Sequence, residues 1–558
     1  MKNLPSSLDS SLDGIGLGCA LRESASRNRG LECFKDGDIR LTFQEFNASV
    51  DGLVSLLSSH GIGAQDHVAV WLGNSLEWAL AFFACARLGA VMVPVNTRYT
   101  SREAQYILAH SDAKLVIMRR SAYRRDFIGA LLEFAPELAD QHGPDVNIKL
   151  LPNLRRILLV GEAHEQLSYT CPFDAMWSID LDLDAIVRAE RAVDPLKPLI
   201  ICYTSGTTGN PKGVMHDHRV MKQAVRVGLA LDLKRGGRIL GHMPLYHVAG
   251  LYMALVPALL IGACFVNLAQ WSPEDALDLI ERERITTFGG IPTHFVDLCN
   301  DPTLRERDLS SLENAWIGGA PVMRSTFESF KEKLGIRQLM STYGMTENTI
   351  STTFNKLDDP VEVCCSNKAP VLGPSEIKVV DVDTGQVCAA GVTGEILCRG
   401  ETVMMGYYKD PVATAQALSI DGWLRTGDLG SLDENGYLHV TGRLKDMYKS
   451  GGINVYPSEI EQLLVQHPLI KIVSIVGAPD PRLGEVGFAF IQCVPGESLS
   501  QSEVREFCAG KIAAYKIPKY TLLVDDIPRT NTGKIEKRTL LKLAAEHVLS
   551  KGESRLSV

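Results

Sequence analysis

Short apolar runs alternate with longer amphipathic or apolar stretches over the first part of the chain, and this alternation predicts strands and helices in turn. A helix is predicted from Thr42 to about His60, and another over residues 75–88. A third helix follows a capping box formed by Thr100 and Glu103. The predicted strands between them are residues 68–72, 91–95 and 114–118. This βαβα order predicts parallel sheets with helices on their faces.

The same pattern resumes after a less regular region at residues 120–195. One apolar stretch, residues 252–269, is long enough to cross a bilayer. Pro257, Gly262 and Asn267 interrupt it, so we interpret it as a buried helix over 251–260 and a strand over 263–268, and no transmembrane span is predicted. Further buried strands are predicted at residues 156–160, 198–202, 285–288, 315–317 and 338–340.

The character of the chain changes after residue 374. Two strands, residues 377–380 and 395–398, flank a polar turn at residues 383–385. A smaller region with its own helices and strands then begins at residues 442–445. The fold class predicted is α/β, with a large N-terminal domain (1–442) of parallel-rich sheets flanked by helices and a small α+β C-terminal domain (443–558).

Composition narrows the function classes. A hydrophobic content of 45% and a charged content of 22% are ordinary for a soluble globular protein. The net charge of −9 argues against a general nucleic-acid binder, which usually presents a basic field. The 13 cysteines are odd in number and form no C-x-x-C pair, which favours free thiols in a reducing cytoplasm and no zinc site. The first 21 residues lack the apolar core of a secretory signal.

A loop rich in glycine and hydroxyl side chains follows the apolar run 198–202. Glycines let backbone N–H groups turn toward an anion, and the hydroxyls and the lysine add donors and charge, so the loop is suited to hold phosphate. It is not a Walker loop, in which Ser or Thr follows the lysine. By itself such a loop is as often a flexible connection. Its residues are Thr204, Ser205, Gly206, Thr207, Thr208, Gly209, Asn210, Pro211, Lys212 and Gly213.

Four later positions carry chemistry that fits a nucleotide. The segment 341–347 supplies an aromatic ring, two threonine hydroxyls and a carboxylate, which near phosphates requires a cation such as Mg²⁺. Asp428 can accept hydrogen bonds from a ribose diol, and Arg443 can pair with a phosphate. Lys534 lies on a glycine-containing loop near the C-terminus. Each of these, viewed alone, is as well explained by a turn, a core contact or a solvated surface.

The five motifs together, in this order, resemble the adenylate-forming superfamily, which comprises acyl-CoA synthetases, luciferases and adenylation domains of peptide synthetases. The resemblance extends over residues 41–537. It implies a β-barrel-like part within the N-terminal domain and a mobile C-terminal domain. It also implies an ATP-dependent acid–CoA ligase that uses ATP, Mg²⁺ and CoA.

The resemblance also implies a role for each motif. The loop from Thr204 to Lys212 holds the β- and γ-phosphates, Tyr343 stacks on adenine, and Glu347 holds Mg²⁺. The residues implied for catalysis are Lys534, Thr346, Glu347, His247 and Lys445. The residues implied for nucleotide and CoA binding are Thr204, Ser205, Gly206, Thr207, Thr208, Gly209, Lys212, Gly318, Gly319, Ala320, Thr342, Tyr343, Gly344, Met345, Asp428, Arg443, Lys449, Gly451 and Gly452.

In this family the small domain rotates between the two half-reactions about a hinge residue, and the matching position here is Lys445. After rotation, the segment 449–452 faces the site, and its glycines are expected to leave room for the pantetheine arm of CoA. The loop that carries Lys534 is expected to leave the site in the same motion. This is domain gating, and the chemistry itself is unchanged.

The acid is predicted from the segment 243–250, which matches the family's acyl pocket. No carboxylate accompanies Tyr246 and His247, so an uncharged acyl group is favoured over an amino acid. His247 is expected to line the pocket, although a packed core histidine is the alternative. Apolar residues 251–260 and the small residues Gly289 and Gly290 suit a fatty, alicyclic or aromatic acid.

The acceptor is predicted to be CoA, because residues 450–461 resemble stand-alone acyl-CoA synthetases. Transfer to a separate carrier protein is the alternative, and oxidation of the luciferase type is a more distant one. A non-catalytic acyl- or nucleotide-binding homologue is the alternative from another class, although Lys212, Glu347 and Lys534 are all retained. The expected partners are small molecules, without nucleic acid or an integral membrane span, and a homodimer is considered as an assembly.

Overall fold

The computed structural model describes residues 10–161, 165–204, 210–320, 322, 324–349, 351–529 and 535–553. It separates into two compact units. The first unit comprises Met1–Ile377 and Cys398–Leu424, and the second comprises Lys378–Leu397 and Arg425–Val558. The domain boundary predicted at residues 442/443, with a hinge near Lys445, stays a prediction.

The strands are labelled in chain order. They are β1 (Glu32–Asp36), β2 (Ile39–Thr42), β3 (His67–Trp71), β4 (Val91–Pro94), β5 (Leu115–Arg119), β6 (Ser121–Ala122), β7 (Arg125–Asp126), β8 (Arg156–Val160), β9 (Cys171–Pro172), β10 (Pro198–Thr204), β11 (Lys212–Asp217), β12 (Arg238–Gly241), β13 (Cys264–Asn267), β14 (Thr287–Gly290), β15 (Asn314–Gly318), β16 (Gln338–Tyr343), β17 (Thr353–Phe354), β18 (Lys368–Pro370), β19 (Glu376–Val380), β20 (Gly394–Arg399), β21 (Gly406–Tyr407), β22 (Leu424–Leu432), β23 (Tyr437–Arg443), β24 (Tyr448–Ser450), β25 (Ile453–Val455), β26 (Ile470–Asp480), β27 (Gly484–Cys493) and β28 (Tyr520–Leu523).

The α-helices lie between these strands. They are Leu17–Asn28, Phe43–Ser59, Leu76–Leu88, Ser101–His110, Phe127–Phe134, Leu183–Arg191, Val220–Ala230, Val248–Gly250, Val256–Ile261, Pro273–Arg282, Pro292–Asn300, Arg324–Lys333, Val361–Cys364, Pro411–Ala417, Pro457–Leu464, Gln501–Cys508 and Lys537–Glu553. None of the helices in the described part of the chain is long and apolar enough to cross a membrane.

Two eight-stranded sheets form the first unit. One has the order β17-β16-β15-β14-β12-β13-β1-β2, and the other has the order β21-β11-β10-β4-β3-β5-β8-β9. Most neighbours in both sheets are parallel, while β2, β17, β11 and β21 join antiparallel. The parallel-rich sheets that the βαβα pattern predicts are therefore confirmed.

The core of this unit lies in layers. Alternate residues of a strand point to opposite faces, and in β3 the side chains of Val68 and Val70 join one hydrophobic cluster while Ala69 and Trp71 join another. The cluster of Val68 and Val70 also contains residues of the other sheet, such as Phe265 of β13, with helices between them. A further cluster covers the opposite face of that other sheet. Helices therefore lie between and outside the two sheets.

The helix starts that the sequence marks are present. Thr42 and Thr100 each form a complete capping box, with Glu45 and Glu103 respectively. Ser272 caps the helix that begins at Pro273. These local hydrogen bonds satisfy backbone N–H groups at the helix start, so each boundary is decided by residues close in sequence.

The helix predicted over 251–260 differs in its first part. Residues Leu251–Leu255 form a π-helical turn, and an α-helix follows at Val256–Ile261. Pro257 lies at the start of that α-helix, where its missing N–H costs least. The strand that follows, β13, is confirmed. A π-turn at this place changes which side chains face the sheet, and apolar periodicity alone does not signal it.

The second unit has two sheets. One contains β19-β20-β22-β23 in that order, and the barrel-like part predicted within the N-terminal domain stays a prediction. The other has the order β25-β24-β27-β26, with β28 parallel to β27. Helices Pro457–Leu464 and Gln501–Cys508 cover one face, and the last helix packs on the other. This α+β arrangement confirms the predicted class.

Candidate active site

The ends of β14, β15 and β16 meet at one edge of the first sheet, because these strands are parallel and adjacent. Gly318 is in register with Thr342, so the two segments predicted to hold adenine lie side by side. Gly319 has a φ of +80°, and a Cβ there would lie 3.2 Å from Cγ2 of Ile291. The carboxyl edge of an open α/β sheet is where such folds bind ligands.

Tyr343 ends β16 and is half-buried. The Thr342 hydroxyl lies 2.9 Å from the Thr353 carbonyl and 2.8 Å from Ser351 Oγ, which fixes the last residues of the strand. After Gly344, the N–H of Met345 donates to Asn348 Oδ1 at 2.8 Å. This bond begins a short 3₁₀ turn.

The turn Thr346–Asn348 is held from several sides. His216 Nε2 lies 2.6 Å from the Thr346 carbonyl, and burial lowers the pKa of His216 to about 4, so the neutral ring donates to that carbonyl. Thr349, which follows the turn, has a φ of +58°, a conformation unusual for a β-branched residue. Its hydroxyl donates to the Thr402 carbonyl at 2.6 Å. Such strain persists only where neighbouring contacts determine the backbone, as they do here.

Glu347, predicted as the Mg²⁺ ligand, lies within this turn. Its Oε1 accepts a hydrogen bond from the Tyr407 hydroxyl at 3.0 Å. Burial and the Glu347 carboxylate both raise the pKa of Tyr407, so the hydroxyl stays protonated and donates. Lys212 Nζ lies 4.9 Å from the centroid of the Tyr407 ring. A carboxylate, a phenol and the ammonium group of the predicted phosphate loop are thus collected in one place.

Tyr407 reaches this place through sheet pairing. It lies in β21, which pairs antiparallel with β11, and its register partner is Val214, two residues after Lys212. No motif in the sequence marks Tyr407, because it is 60 residues from Glu347. An aromatic residue with a hydroxyl at the start of a polar segment was the only available signal, and it is too common to be informative.

The donor set fits a cation that arrives with a nucleotide. Within the described residues, no group of three or more His, Cys, Asp or Glu side chains could hold a metal ion. Mg²⁺ that is bound mainly by substrate phosphates needs only one or two protein carboxylates. Glu347 can supply one, held in place by Tyr407.

The predicted phosphate loop connects β10 to β11, which pair antiparallel with Thr204 opposite Lys212. The Thr204 hydroxyl lies 3.5 Å from the Lys212 carbonyl. Both ends of the loop are thereby located at the edge beside Tyr407. The predicted residues Ser205, Gly206, Thr207, Thr208 and Gly209 lie outside the described residues.

His247 is exposed and acts as a helix cap. Its Nδ1 accepts a hydrogen bond from the Ala249 N–H at 3.2 Å, at the start of the helix beginning at Val248. The expected role of His247 in lining the acyl pocket stays a prediction. Gly289 and Gly290, expected to leave room for the acyl group, instead accommodate protein side chains. A Cβ at Gly289 would lie 2.2 Å from Nε1 of Trp316, and one at Gly290 would lie 2.5 Å from Nδ1 of His294.

In the second unit, Asp428 and Arg443 are brought together. They are register partners in β22 and β23, and Arg443 Nε lies 3.1 Å from Asp428 Oδ1. The aspartate is buried while the arginine is about half exposed. A buried carboxylate held by a partly exposed guanidinium can accept hydroxyl hydrogen bonds from a sugar, which is the role that the sequence predicts.

The predicted hinge and CoA segments lie in the same unit. Lys445 is within the 3₁₀ turn Leu444–Asp446, and Lys449 Nζ lies 3.3 Å from Asp383 Oδ1. Gly451 and Gly452 have φ values of +59° and +82° and connect β24 to β25. Two consecutive positive φ angles are typical of a type I′ hairpin turn, so the fold itself requires these glycines. Lys534 lies outside the described residues.

Comparisons with known proteins find similar chains over nearly the whole length of this one. Residues 21–408 match the family model of the AMP-binding enzymes, and residues 459–534 match that of the AMP-binding enzyme C-terminal domain. A CoA ligase of Rhodococcus jostii (strain RHA1), named for a methyl-dioxo-octahydroindenyl propanoyl group, is 34% identical over 93% of this chain and 97% of its own. The human mitochondrial medium-chain acyl-CoA ligase ACSF2 is 31% identical over 92% of this chain and 84% of its own.

Two solved structures are also similar to this chain over nearly its whole length. The anthranilate CoA ligase AuaEII in complex with anthranoyl-AMP superposes with a TM-score of 0.82 at 26% identity, over 97% of this chain and 99% of that chain. ATP-bound MatB from Rhodopseudomonas palustris superposes with a TM-score of 0.78 at 25% identity, over 95% and 99% of the two chains.

Proposed function

The chain belongs to the AMP-binding enzyme family, and on this premise we propose that it is an ATP-dependent acid–CoA ligase. A carboxylate attacks the α-phosphorus of ATP and gives an acyl-adenylate and pyrophosphate. The CoA thiol then attacks the acyl carbonyl, the thiol proton is released, and AMP leaves. A free carboxylate is a poor acyl donor because its leaving group would be oxide, whereas AMP is a good leaving group.

The observation that carries this proposal is the grouping of Glu347, Tyr407 and Lys212 beside the ends of β15 and β16. Adenylate formation brings anions together, so it requires cations and aligned donors at the phosphates. Mg²⁺ that accompanies ATP would neutralise phosphate charge beside Glu347. Lys212 supplies positive charge for the pyrophosphate, and Thr346 offers a hydroxyl near the α-phosphate.

The remaining assignments are part of the same proposal. Tyr343 stacks on adenine, with Gly318, Gly319 and Ala320 on the other side. Asp428 and Arg443 bind the ribose hydroxyls. Lys534 bridges the attacking carboxylate and the α-phosphate, and its ammonium offsets the repulsion between them.

The test is ATP–pyrophosphate exchange with a panel of fatty, alicyclic and aromatic acids, followed by thioester formation with CoA. Exchange that depends on one class of acid, and thioester formed from CoA, are the expected results. Exchange without a CoA thioester would favour transfer to a carrier protein. Exchange with none of the acids would favour the non-catalytic homologue. Glu347→Gln should reduce exchange, whereas the exposed control Glu434→Gln should not.

We further propose a cytoplasmic location and a homodimer. None of the 13 cysteines forms a disulfide and eight of them are buried, as expected for a reducing compartment. Titration of thiols in unfolded, unreduced protein should therefore detect all 13 thiols.

The proposed homodimer is tested by light scattering on protein eluted from a size-exclusion column, which measures the mass of the assembly. A monomer mass would contradict the dimer.

A further inference from the structure

Three aromatic side chains meet beyond the ends of β12, β13 and β14. The ring centroids of Trp271 and His294 are 4.4 Å apart, and the ring centroid of His242 lies 4.7 Å from each of them. The Trp271 Nε1 donates to Asp297 Oδ2 at 2.9 Å. Because its N–H is already used, Trp271 presents only ring surface to the two imidazoles.

This His242–His294–Trp271 cluster lies at the same sheet edge as residues 318–320, the segment predicted to line adenine. The strand order is β15-β14-β12-β13, and neighbouring strands are about 4.8 Å apart. The strands that lead to the cluster therefore lie one to three strands, roughly 5–15 Å, from the strand that leads to Gly319. Ile291 joins the two places, since its Cγ2 lies against Gly319 and it begins the segment that carries His294. An acyl group extending from an adenylate would reach the cluster over this distance.

The edge at the cluster is filled rather than open. The position of a Cβ at Gly290 would be 2.5 Å from His294 Nδ1, and the position at Gly241 would be 2.0 Å from Cζ of Phe265. The Tyr123 hydroxyl donates to the Ala269 carbonyl at 2.6 Å, which anchors the segment that precedes Trp271. A long straight chain passing along this edge would have to displace packed rings.

The two imidazoles are uncharged and bonded to each other. His242 Nε2 and His294 Nδ1 are 3.2 Å apart. Burial and the adjacent His294 hold the pKa of His242 well below its usual range, and burial followed by Arg98 lowers the pKa of His294 to about 4. The mutual bond uses His294 Nδ1, and among the described residues no hydrogen bond is recorded for Nε2 of this half-buried ring. A neutral imidazole matches a neutral partner better than a second carboxylate.

We propose that His294, backed by Trp271 and His242, forms the distal wall of the acyl pocket and selects cyclic acids that carry a carbonyl or hydroxyl group remote from the carboxylate. This inference rests on the proposed ligase function and names its substrate class. Ring surface on Trp271 and His294 favours a compact cyclic skeleton, and His294 Nε2 hydrogen-bonds the remote oxygen. Straight-chain acids of the same carbon number are disfavoured because the wall is closed.

The test compares four acids of equal carbon number by kcat/KM in acid-dependent pyrophosphate exchange. They are 3-cyclohexylpropanoic acid, its 4-oxo and 4-hydroxy derivatives, and nonanoic acid. The wild type is expected to prefer an oxygenated ring acid over the unsubstituted ring by roughly tenfold, the effect of one hydrogen bond. The oxo and hydroxy arms distinguish a carbonyl from a hydroxyl as the partner.

Two variants examine the wall. His294→Phe keeps the ring packing on Trp271 but removes Nε2, so the ratio of oxygenated to unsubstituted ring should fall to about one. Trp271→Leu should open the wall and raise the relative use of nonanoic acid. His142→Phe is the matched control at an exposed position, and it should leave all ratios unchanged. Thermal melting of each variant verifies folding, and His294→Asn replaces His294→Phe if the latter unfolds.

A wild type that prefers nonanoic acid would overturn the inference. So would a ratio that His294→Phe leaves intact. In both cases acid-dependent exchange persists, so the ligase function survives. Absence of exchange with every acid in the wider panel would instead refute the proposed function, and the inference with it.

Discussion

Tyr407 shows how one side chain outside every motif can decide the geometry of a site. Its hydroxyl donates to the Glu347 carboxylate, and its ring lies beside the Lys212 ammonium. The carboxylate is therefore oriented by a contact that sequence spacing does not reveal. The neighbouring residue Tyr408 makes a similar bond to Asp112 at 2.8 Å, at another place on the same unit.

This pair of tyrosines gives a matched test. Tyr407→Phe removes one hydrogen bond to a charged acceptor, which is worth about 1.5–3 kcal/mol. We expect kcat/KM for MgATP to fall at least roughly tenfold and the Mg²⁺ dependence to shift to higher concentration, measured by pyrophosphate exchange. Tyr408→Phe loses an equivalent bond and should alter only thermal stability. Equal kinetic loss in both variants would contradict the orienting role of Tyr407.

Lys534 is the residue whose side chain is expected to act in only one half-reaction. Lys534→Ala should abolish adenylate formation and largely spare thioester formation from supplied acyl-adenylate, because the adenylate already contains the bond that the ammonium helps to form. The two half-reactions are measured separately. Lys542→Ala, an exposed lysine in the last helix, is the control. Parallel loss of both half-reactions would refute this assignment.

Among the elements, the short turns carry most of the information about the site. The 3₁₀ turn Thr346–Asn348 places Thr346 and Glu347, and it is held by His216 and by a strained Thr349. The π-turn Leu251–Leu255 interrupts a helix directly after the segment that carries His247. Such turns depend on contacts with distant segments, so the apolar period predicts the neighbouring elements and not the turns.

The 3₁₀ turn Leu444–Asp446 contains the predicted hinge. Lys445→Pro fixes φ near −65° and should therefore impair any step that needs another backbone conformation at this residue. We expect thioester formation from supplied acyl-adenylate to fall at least tenfold, with adenylate formation less affected. Lys445→Ala removes the side chain without restricting the backbone and is the control. An unaffected second step in the proline variant would argue against a hinge.

At the scale of the whole molecule, the first unit contains several buried neutral histidines. Burial is the first cause that lowers the pKa of His216 and of His218 to about 4, and it holds the pKa of His242 well below its usual range. His218 Nδ1 accepts the Leu17 N–H at 3.1 Å, a bond that a protonated Nδ1 would lose. These histidines are neutral in the fold at neutral pH and tie distant segments together.

The unfolded chain binds protons on these histidines near pH 6.5, whereas the folded chain binds them only near pH 4. Stability is therefore full above pH 6.5 and is lost as the pH falls toward 4, by up to about 1.4 kcal/mol per pH unit for each buried histidine. The melting temperature should fall across this window. His216→Gln should flatten the slope, and the exposed His142→Gln should not. A melting temperature independent of pH between 7 and 4.5 would contradict this account.

The sequence by itself determined the class of fold, most of the strands and helices, and the order of the motifs. The apolar periodicity, the helix caps and the helix-breaking residues act within a few residues of one another. The apolar run at 75–88 and the capping boxes at Thr42 and Thr100 are therefore each sufficient to locate a helix. The glycine loop at residues 204–213 and the segment 341–347, taken together with the later motifs, carried the resemblance to the adenylate-forming superfamily, and their roles toward phosphate and base stay predictions.

Only the tertiary structure decided which side chains meet. Tyr407 reaches Glu347 through the pairing of β21 with β11, and His242, His294 and Trp271 converge from the ends of separate strands. The structure also shows why glycine is needed at two of these positions. Gly290 leaves space for the His294 ring, and Gly452 adopts the positive φ of a hairpin turn. These outcomes depend on strand order and register, which follow from the packing of the whole core and not from the spacing of residues along the chain.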